Sequence, residues 1–117
     1  MRLLIAAFPP ELGSLLRTPP AGWEVVPVGV GAITAAATTA RLLAERRPEA
    51  VLFLGTCGRY DARLSLMDTL WASEAIATSL EERAGRAFRP TIETTRWAAT
   101  LPGPWPGQPV AVPPPPG

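Results

Sequence analysis

Residues 29–58 read GVGAITAAATTARLLAERRPEAVLFLGTCG, and this stretch decides the fold that the sequence predicts. Apolar residues recur every three or four positions after Gly31, which predicts a helix that ends at Pro48. The apolar stripe that this spacing selects consists of Ile33, Ala36, Ala37, Ala40, Leu43 and Ala44. A short apolar strand follows over 50–54 and ends at Gly55.

The residues before this stretch predict two more strands. The continuous apolar run 3–8 is typical of a strand that is buried on both faces. Residues 11–17 predict a short helix, and 23–30 predict a second strand, in which Pro27 indicates a sheet edge or a bulge. Strand, helix and strand at this spacing form a βαβ unit, so we expect Leu54 to lie beside a parallel neighbour in a covered sheet.

The residues after Gly58 are less regular. Residues 68–77 predict a strand, 79–87 a weak helix, and the chain from Pro90 onward is expected to be irregular. Half of the final 16 residues, 102–117, are proline, which fixes φ and lacks a backbone donor. The run 113–116 is compatible both with a polyproline II ligand and with an inert linker.

Composition excludes several classes of mechanism. The 117 residues include no His and no Lys, which excludes a Ser-His-Asp triad, a His-ligated zinc and a Schiff-base lysine. Cys57 is the one cysteine, so no internal disulfide forms. A net charge of +1 does not fit a nucleic-acid partner. No apolar run has the roughly 20 residues of a membrane span.

Location and assembly follow from the same composition. The apolar start before Pro9 is short for a signal peptide, and with an unpaired Cys57 we expect a cytoplasmic protein. A chain of this size buries only about 60–70% of its unfolded surface. We therefore expect the chain to bury more of its surface against further copies of itself, as a homo-oligomer.

Three loops follow the predicted strands, and ligands of open α/β sheets bind at this end of the strands. The loops are 8–11, 29–31 and 55–58. Two of them are rich in glycine, which lets the backbone approach a ligand closely, and the first carries a carboxylate, Glu11. The sequence therefore predicts a pocket rim here.

The stretch 29–58 resembles the nucleoside phosphorylase superfamily, and within it the 5′-methylthioadenosine/S-adenosylhomocysteine nucleosidase and futalosine hydrolase branch. That family has a G-[IV]-G turn, an Ala/Thr-rich helix, a basic-Pro-acidic helix stop, an apolar strand and a G-[ST]-[AC]-G turn. All of these occur here in order. Asp68 lies where the family has a Gly-Asp pair, with Met67 in place of the glycine. The resemblance covers roughly residues 1–77.

The resemblance implies the fold, the chemistry and the site. The expected fold is α/β, a partial nucleoside-phosphorylase-like mixed sheet with flanking helices, over 1–89, followed by a Pro-rich tail over 90–117. The implied reaction is hydrolysis of the N-glycosidic bond of a purine nucleoside, with no metal or organic cofactor. Glu11 would orient the attacking water, Thr56, Cys57 and Gly58 would line the pocket for ribose and base, and Val30 would contact the 5′ side.

Phe53 bears on the choice between water and phosphate as the nucleophile. The phosphorylase branch often has an arginine at this position to hold phosphate, so Phe53 favours hydrolysis. The family's second half supplies a Met-Glu pair and an aspartate that protonates the base, and nothing in 90–117 resembles either. The chain is therefore a fragment, a half that a second polypeptide completes, or a non-catalytic nucleoside-binding or subunit-interaction domain.

Each candidate residue also has a purely structural interpretation. Glu11 is compatible with a simple first-turn helix acid, and Asp68 with a cap. Cys57 fits a small pocket-wall residue better than a nucleophile, because the sequence has no His or Lys to activate its thiol. Thr34 stands where a dinucleotide-binding turn would have its third glycine, which argues against such a site.

Overall fold

The computed structural model describes residues 1–60, 62–90 and 96–98. The chain divides into two compact units, Met1–Gly58 and Arg59–Gly117. The Pro-rich run 102–117 lies outside the described residues.

The first unit contains a parallel three-stranded sheet and two α-helices. Its elements in chain order are β1 (Arg2–Ala6), a 3-10 turn (Pro9–Glu11), α1 (Ser14–Arg17), β2 (Trp23–Pro27), α2 (Ala32–Arg46) and β3 (Ala50–Phe53). The strand order is β2-β1-β3, and Arg2 aligns with both Trp23 and Ala50. The α/β fold class predicted from the sequence is confirmed.

The central strand β1 is buried on both faces, as its continuous apolar run predicts. Leu3 and Ile5 pack on one face of the sheet with Val28 and with Leu42 of α2. The other face holds a second cluster, made by Leu4, Ala6, Leu12 and Val25. Pro27 is the last residue of β2, and β2 is an edge strand of this sheet. This confirms the sheet edge that was predicted from the missing backbone donor of proline.

Helix α2 does not pack on the sheet through the apolar stripe that its spacing selects, so the stripe is wrong as a prediction of the buried face. Partly or fully buried positions lie instead at Ala35, Thr38, Thr39 and Leu42, which also follow helical spacing. The predicted stripe is exposed, with Ile33 at 88% and Leu43 at 41% relative exposure. In a helix rich in Ala and Thr both faces satisfy the helical period, and the strands beneath select the one that carries Leu42.

The ends of the helices differ in detail from the sequence prediction. The helix predicted over 11–17 divides into the 3-10 turn and α1, because Gly13 has a φ of 52°. Helix α2 ends at Arg46, and Arg47 caps it in the left-handed conformation directly before Pro48. Arg46 also donates to both carboxylate oxygens of Glu24 on β2 at 3.1 Å, which ties the end of α2 to the sheet.

The second unit contains an antiparallel pair of short strands. Strand β4 (Glu74–Ile76) pairs with β5 (Arg96–Ala98), and the α-helix α3 (Leu80–Arg83) lies between them in the chain. The strand predicted over 68–77 is therefore much shorter than expected, and the helix predicted over 79–87 is one turn. Strand β5 falls in the stretch expected to be irregular. Its residues pair with β4, which ends 20 residues earlier in the chain at Ile76, so no local pattern indicates this strand.

Side chains stabilise the ends of α3. Ser79 accepts a hydrogen bond from the amide of Glu82 at 3.2 Å and so caps the helix. The Arg86 guanidinium beside Glu81 lowers the pKa of that carboxyl below its usual value. Arg89 and then Ser79 lower the pKa of Glu82 in the same way, through their hydrogen bonds. None of the helices in the described part of the chain has the length and apolar character needed to cross a membrane.

Candidate functional site

The carboxyl ends of the three parallel strands meet at one edge of the sheet of the first unit. The amides of Val28 and Gly29 donate to the carbonyls of Ala6 and Ala7 at 2.8 and 2.9 Å, which brings the turn after β2 beside the end of β1. On the other side, the amide of Leu54 donates to the carbonyl of Ile5 at 2.8 Å. This bond confirms the parallel neighbour expected for Leu54 and places the turn 55–58 next to the end of β1.

Glu11 is the last residue of the 3-10 turn that follows β1, and backbone hydrogen bonds hold this turn. Its amide donates to the carbonyl of Phe8 at 3.1 Å, and the amide of Leu12 donates to Pro9 at 3.0 Å. Leu12 is 2% exposed and packs in the cluster beneath the sheet. The carboxylate therefore projects from a turn that the core holds in place.

The structure brings together two of the predicted site residues, Glu11 and Thr56. The backbone amide of Thr56 donates to Oε2 of Glu11 at 3.0 Å, and the Thr56 hydroxyl lies 3.4 Å from the same oxygen. These residues are 45 positions apart in sequence. The carboxylate after β1 is thus joined to the glycine-rich turn after β3. Both lie at the carboxyl ends of parallel strands, where open α/β sheets bind their ligands.

Gly55 also belongs to this site, although the sequence predicted it only as part of the pocket rim and not as a residue that binds the ligand. A Cβ atom at Gly55 would lie 3.4 Å from Oε2 of Glu11 and 3.3 Å from Cε1 of Phe53. The absent side chain therefore lets the carboxylate and the aromatic ring approach the backbone. The glycine directly before Thr56 is the signal that could have indicated this role, because a glycine lets a neighbouring side chain approach the backbone closely.

The turn after β2 depends on its glycines. Gly29 has a φ of 101°, and a Cβ there would lie 2.5 Å from Cγ2 of Thr34, so a larger residue would clash. Gly31 has a φ of 95° and open space where a side chain would be. Val30 between them is 71% exposed, so its side chain is available to a ligand.

The remaining predicted site residues, Cys57 and Gly58, are exposed in the turn after β3. Cys57 is a free thiol. Their contact with a ligand, like that of Val30, stays a prediction. In the part of the chain that the structure describes, no three Cys, Asp or Glu side chains gather to hold a metal ion.

This edge of the sheet combines one anchored carboxylate with exposed apolar surface. Phe53 is 62% exposed beside the carboxylate, and Phe8 is exposed in the loop after β1. A carboxylate can orient a water molecule, and aromatic and aliphatic surface suits a sugar or a base. The first unit is thus a parallel α/β sheet with a candidate site for a small organic molecule at the carboxyl ends of its strands.

Comparison with family models identifies the protein family. The model of the phosphorylase superfamily matches residues 3–116, and the chain belongs to this superfamily. Membership supports a role in nucleoside processing in general terms. A comparison with curated proteins found no match, and a comparison with solved structures found none either.

Proposed function

We propose that this protein hydrolyses the N-glycosidic bond of purine nucleosides, as a nucleosidase. The observation that carries the proposal is the anchored carboxylate of Glu11, which accepts the Thr56 amide at 3.0 Å at the ligand end of the sheet. In the reaction the oxygen of water bonds to C1′ of the ribose while the C1′–N bond breaks. The bonding electron pair leaves with the base, and Glu11 accepts the hydrogen bond of the water and takes up its proton.

Phe53 supports water rather than phosphate as the nucleophile. An exposed phenyl ring beside Glu11 offers no charge to a phosphate dianion, and Glu11 itself would repel one. We propose that the nucleoside lies over the turn 55–58, with Thr56, Cys57 and Gly58 against ribose and base and Val30 toward the 5′ position.

The test of this function is Glu11→Gln, with release of the purine base measured by chromatography. We expect hydrolysis to fall by at least about 10²-fold, the usual size of a general-base contribution. The matched control is Glu45→Gln, because Glu45 pairs with Arg41 on α2 and should leave the rate unchanged. Hydrolysis retained in Glu11→Gln, or a folded wild-type protein that releases no base, would refute the proposal.

A non-catalytic nucleoside-binding or subunit-interaction domain is the second candidate, and one observation favours it. Among residues 1–58, all of which the structure describes, Glu11 is the one acid at the ligand end of the sheet. Isothermal calorimetry with adenosine tests this candidate. Binding that weakens in Thr56→Trp, without any release of base, is the expected result, and absence of heat at millimolar adenosine would contradict it.

We also propose that the protein works in the cytoplasm as a homo-oligomer, and that residues 1–89 form the family's N-terminal part. The exposed apolar side chains of α2 support the assembly, because a second copy would remove them from water. Sedimentation equilibrium gives the molar mass directly, and a monomer at all concentrations would contradict it.

A further inference from the structure

We propose that Gly55 and Thr56 form a positioning element, which holds one oxygen of Glu11 and leaves the other to accept the attacking water. The inference rests on the proposed nucleosidase function and assigns a task to each carboxylate oxygen. Both hydrogen bonds from Thr56 go to the same atom, Oε2, at 3.0 Å from the amide and 3.4 Å from the hydroxyl. Among the described residues, Oε1 of Glu11 accepts no hydrogen bond.

Both partners of this contact are held by the sheet. The bond from the Leu54 amide to the Ile5 carbonyl, at 2.8 Å, fixes the backbone that leads into Gly55. On the other side, the 3-10 turn and the buried Leu12 fix the backbone of Glu11. A carboxylate that turns freely would present either oxygen to a water, whereas this one is held in a single orientation.

Gly55 lies between the Phe53 ring and Oε2 of Glu11, and its lack of a side chain leaves room for both. A Cβ at this position would stand 3.3 Å from the ring of Phe53 and 3.4 Å from Oε2. The ring contact is the tighter of the two, and the contact with Oε2 has an ordinary length, so the methyl group of Gly55→Ala would press on the ring of Phe53 first.

The polarity of the Thr56 amide predicts what a glutamine does at position 11. An amide N–H can only donate, so the side-chain carbonyl of Glu11→Gln must take the place of Oε2. Its NH₂ group then occupies the place of Oε1. The group that faces the water changes from an acceptor to a donor, and the water loses the partner for its proton although the side chain keeps its position.

The first test compares turnover in Thr56→Val and Thr56→Ser. Valine removes the hydroxyl and keeps the amide, whereas serine keeps both donors. We expect kcat to fall by about 3- to 10-fold in Thr56→Val, with KM within about twofold, and to recover in Thr56→Ser. The loss is small because the hydrogen bond from the hydroxyl is long and the hydrogen bond from the amide remains. Thr18→Val is the control in the loop after α1. An unchanged kcat in Thr56→Val, or an equal loss in Thr56→Ser, would overturn the role of the hydroxyl.

The second test is independent of turnover and uses the amide proton of Thr56 in the NMR spectrum. An N–H that donates to a carboxylate resonates downfield, so we expect its signal to move upfield in Glu11→Gln and further in Glu11→Ala. The Glu45→Gln control should leave it in place. A signal that is the same in all variants would overturn the positioning role, whatever the activity. If the signal moves but the wild-type protein releases no base, the hydrogen bond to Glu11 is confirmed and the proposed nucleosidase function is wrong.

Discussion

Among the residues that the structure describes, Arg47 and Met67 hold left-handed backbone conformations that favour glycine, with φ values of 44° and 71°. Met67 stands where the resemblance places a glycine before Asp68, and the amide of Ser65 donates to that aspartate at 2.9 Å. The positive φ of Met67 explains why a glycine suits this position, since glycine adopts that conformation without strain. Its strained conformation could not be derived from local propensity, because methionine by itself prefers negative φ.

Replacement of Arg47 by glycine is expected to stabilise the protein by up to about 1 kcal/mol. The left-handed conformation costs a residue with a Cβ about 1–2 kcal/mol, and part of the gain is lost to the greater freedom of glycine in the unfolded chain. Urea unfolding should show a higher midpoint with an unchanged slope. The neighbouring change Arg46→Gly is the matched comparison, because Arg46 is helical and bonds Glu24. It should lower the midpoint, and a lower midpoint in Arg47→Gly too would contradict the prediction.

At the scale of the element, periodicity located α2 but selected the wrong face. The helix was predicted from recurring apolar residues, and its end from Pro48, because both signals are local. The buried face of α2 could not be predicted, because alanine gains little from burial. The methyl groups of Thr38 and Thr39 can pack on the sheet as well as the alanine side chains can. Pairing of Ile76 with Arg96 was equally beyond prediction, because strands of three residues give almost no pattern.

Adjacent leucines of α2 test which face is inward. Leu42 is 3% exposed and contacts Leu3 and Ile5, so Leu42→Ala should lower the free energy of unfolding by about 2–5 kcal/mol. Leu43 is 41% exposed, and Leu43→Ala should cost less than about 1 kcal/mol. Both values come from urea unfolding at low protein concentration. Equal costs would contradict this assignment of the buried face. A cost of Leu43→Ala that grows with protein concentration would indicate that a second copy of the chain packs on the exposed face of α2.

At the scale of the molecule, the sequence predicted where the site lies better than it predicted what completes it. Parallel strands put their carboxyl ends together, so Glu11 and the turn 55–58 were expected at one edge, and the bond from Thr56 to Glu11 joins them. The four acids of residues 1–58 are Glu11, Glu24, Glu45 and Glu49. Only Glu11 lies at that edge. Glu24 is the second residue of β2, Glu45 lies in the last turn of α2, and Glu49 directly precedes β3, so these three lie toward the amino ends of the strands.

Residues 1–58 place one carboxylate at the site, which predicts a dependence on the leaving base, provided that the nucleosidase function holds. A neutral purine leaves as an anion unless an acid protonates it, whereas 7-methylguanine carries a positive charge in the nucleoside and leaves neutral. General acid catalysis contributes about 10²–10⁴-fold. After subtraction of uncatalysed hydrolysis, we therefore expect kcat/KM for 7-methylguanosine to exceed that for guanosine by more than about 10²-fold. Base release measured by chromatography gives both values, and Glu11→Gln should reduce both. Similar values for the two nucleosides would contradict the prediction and show that another group of the protein protonates the base.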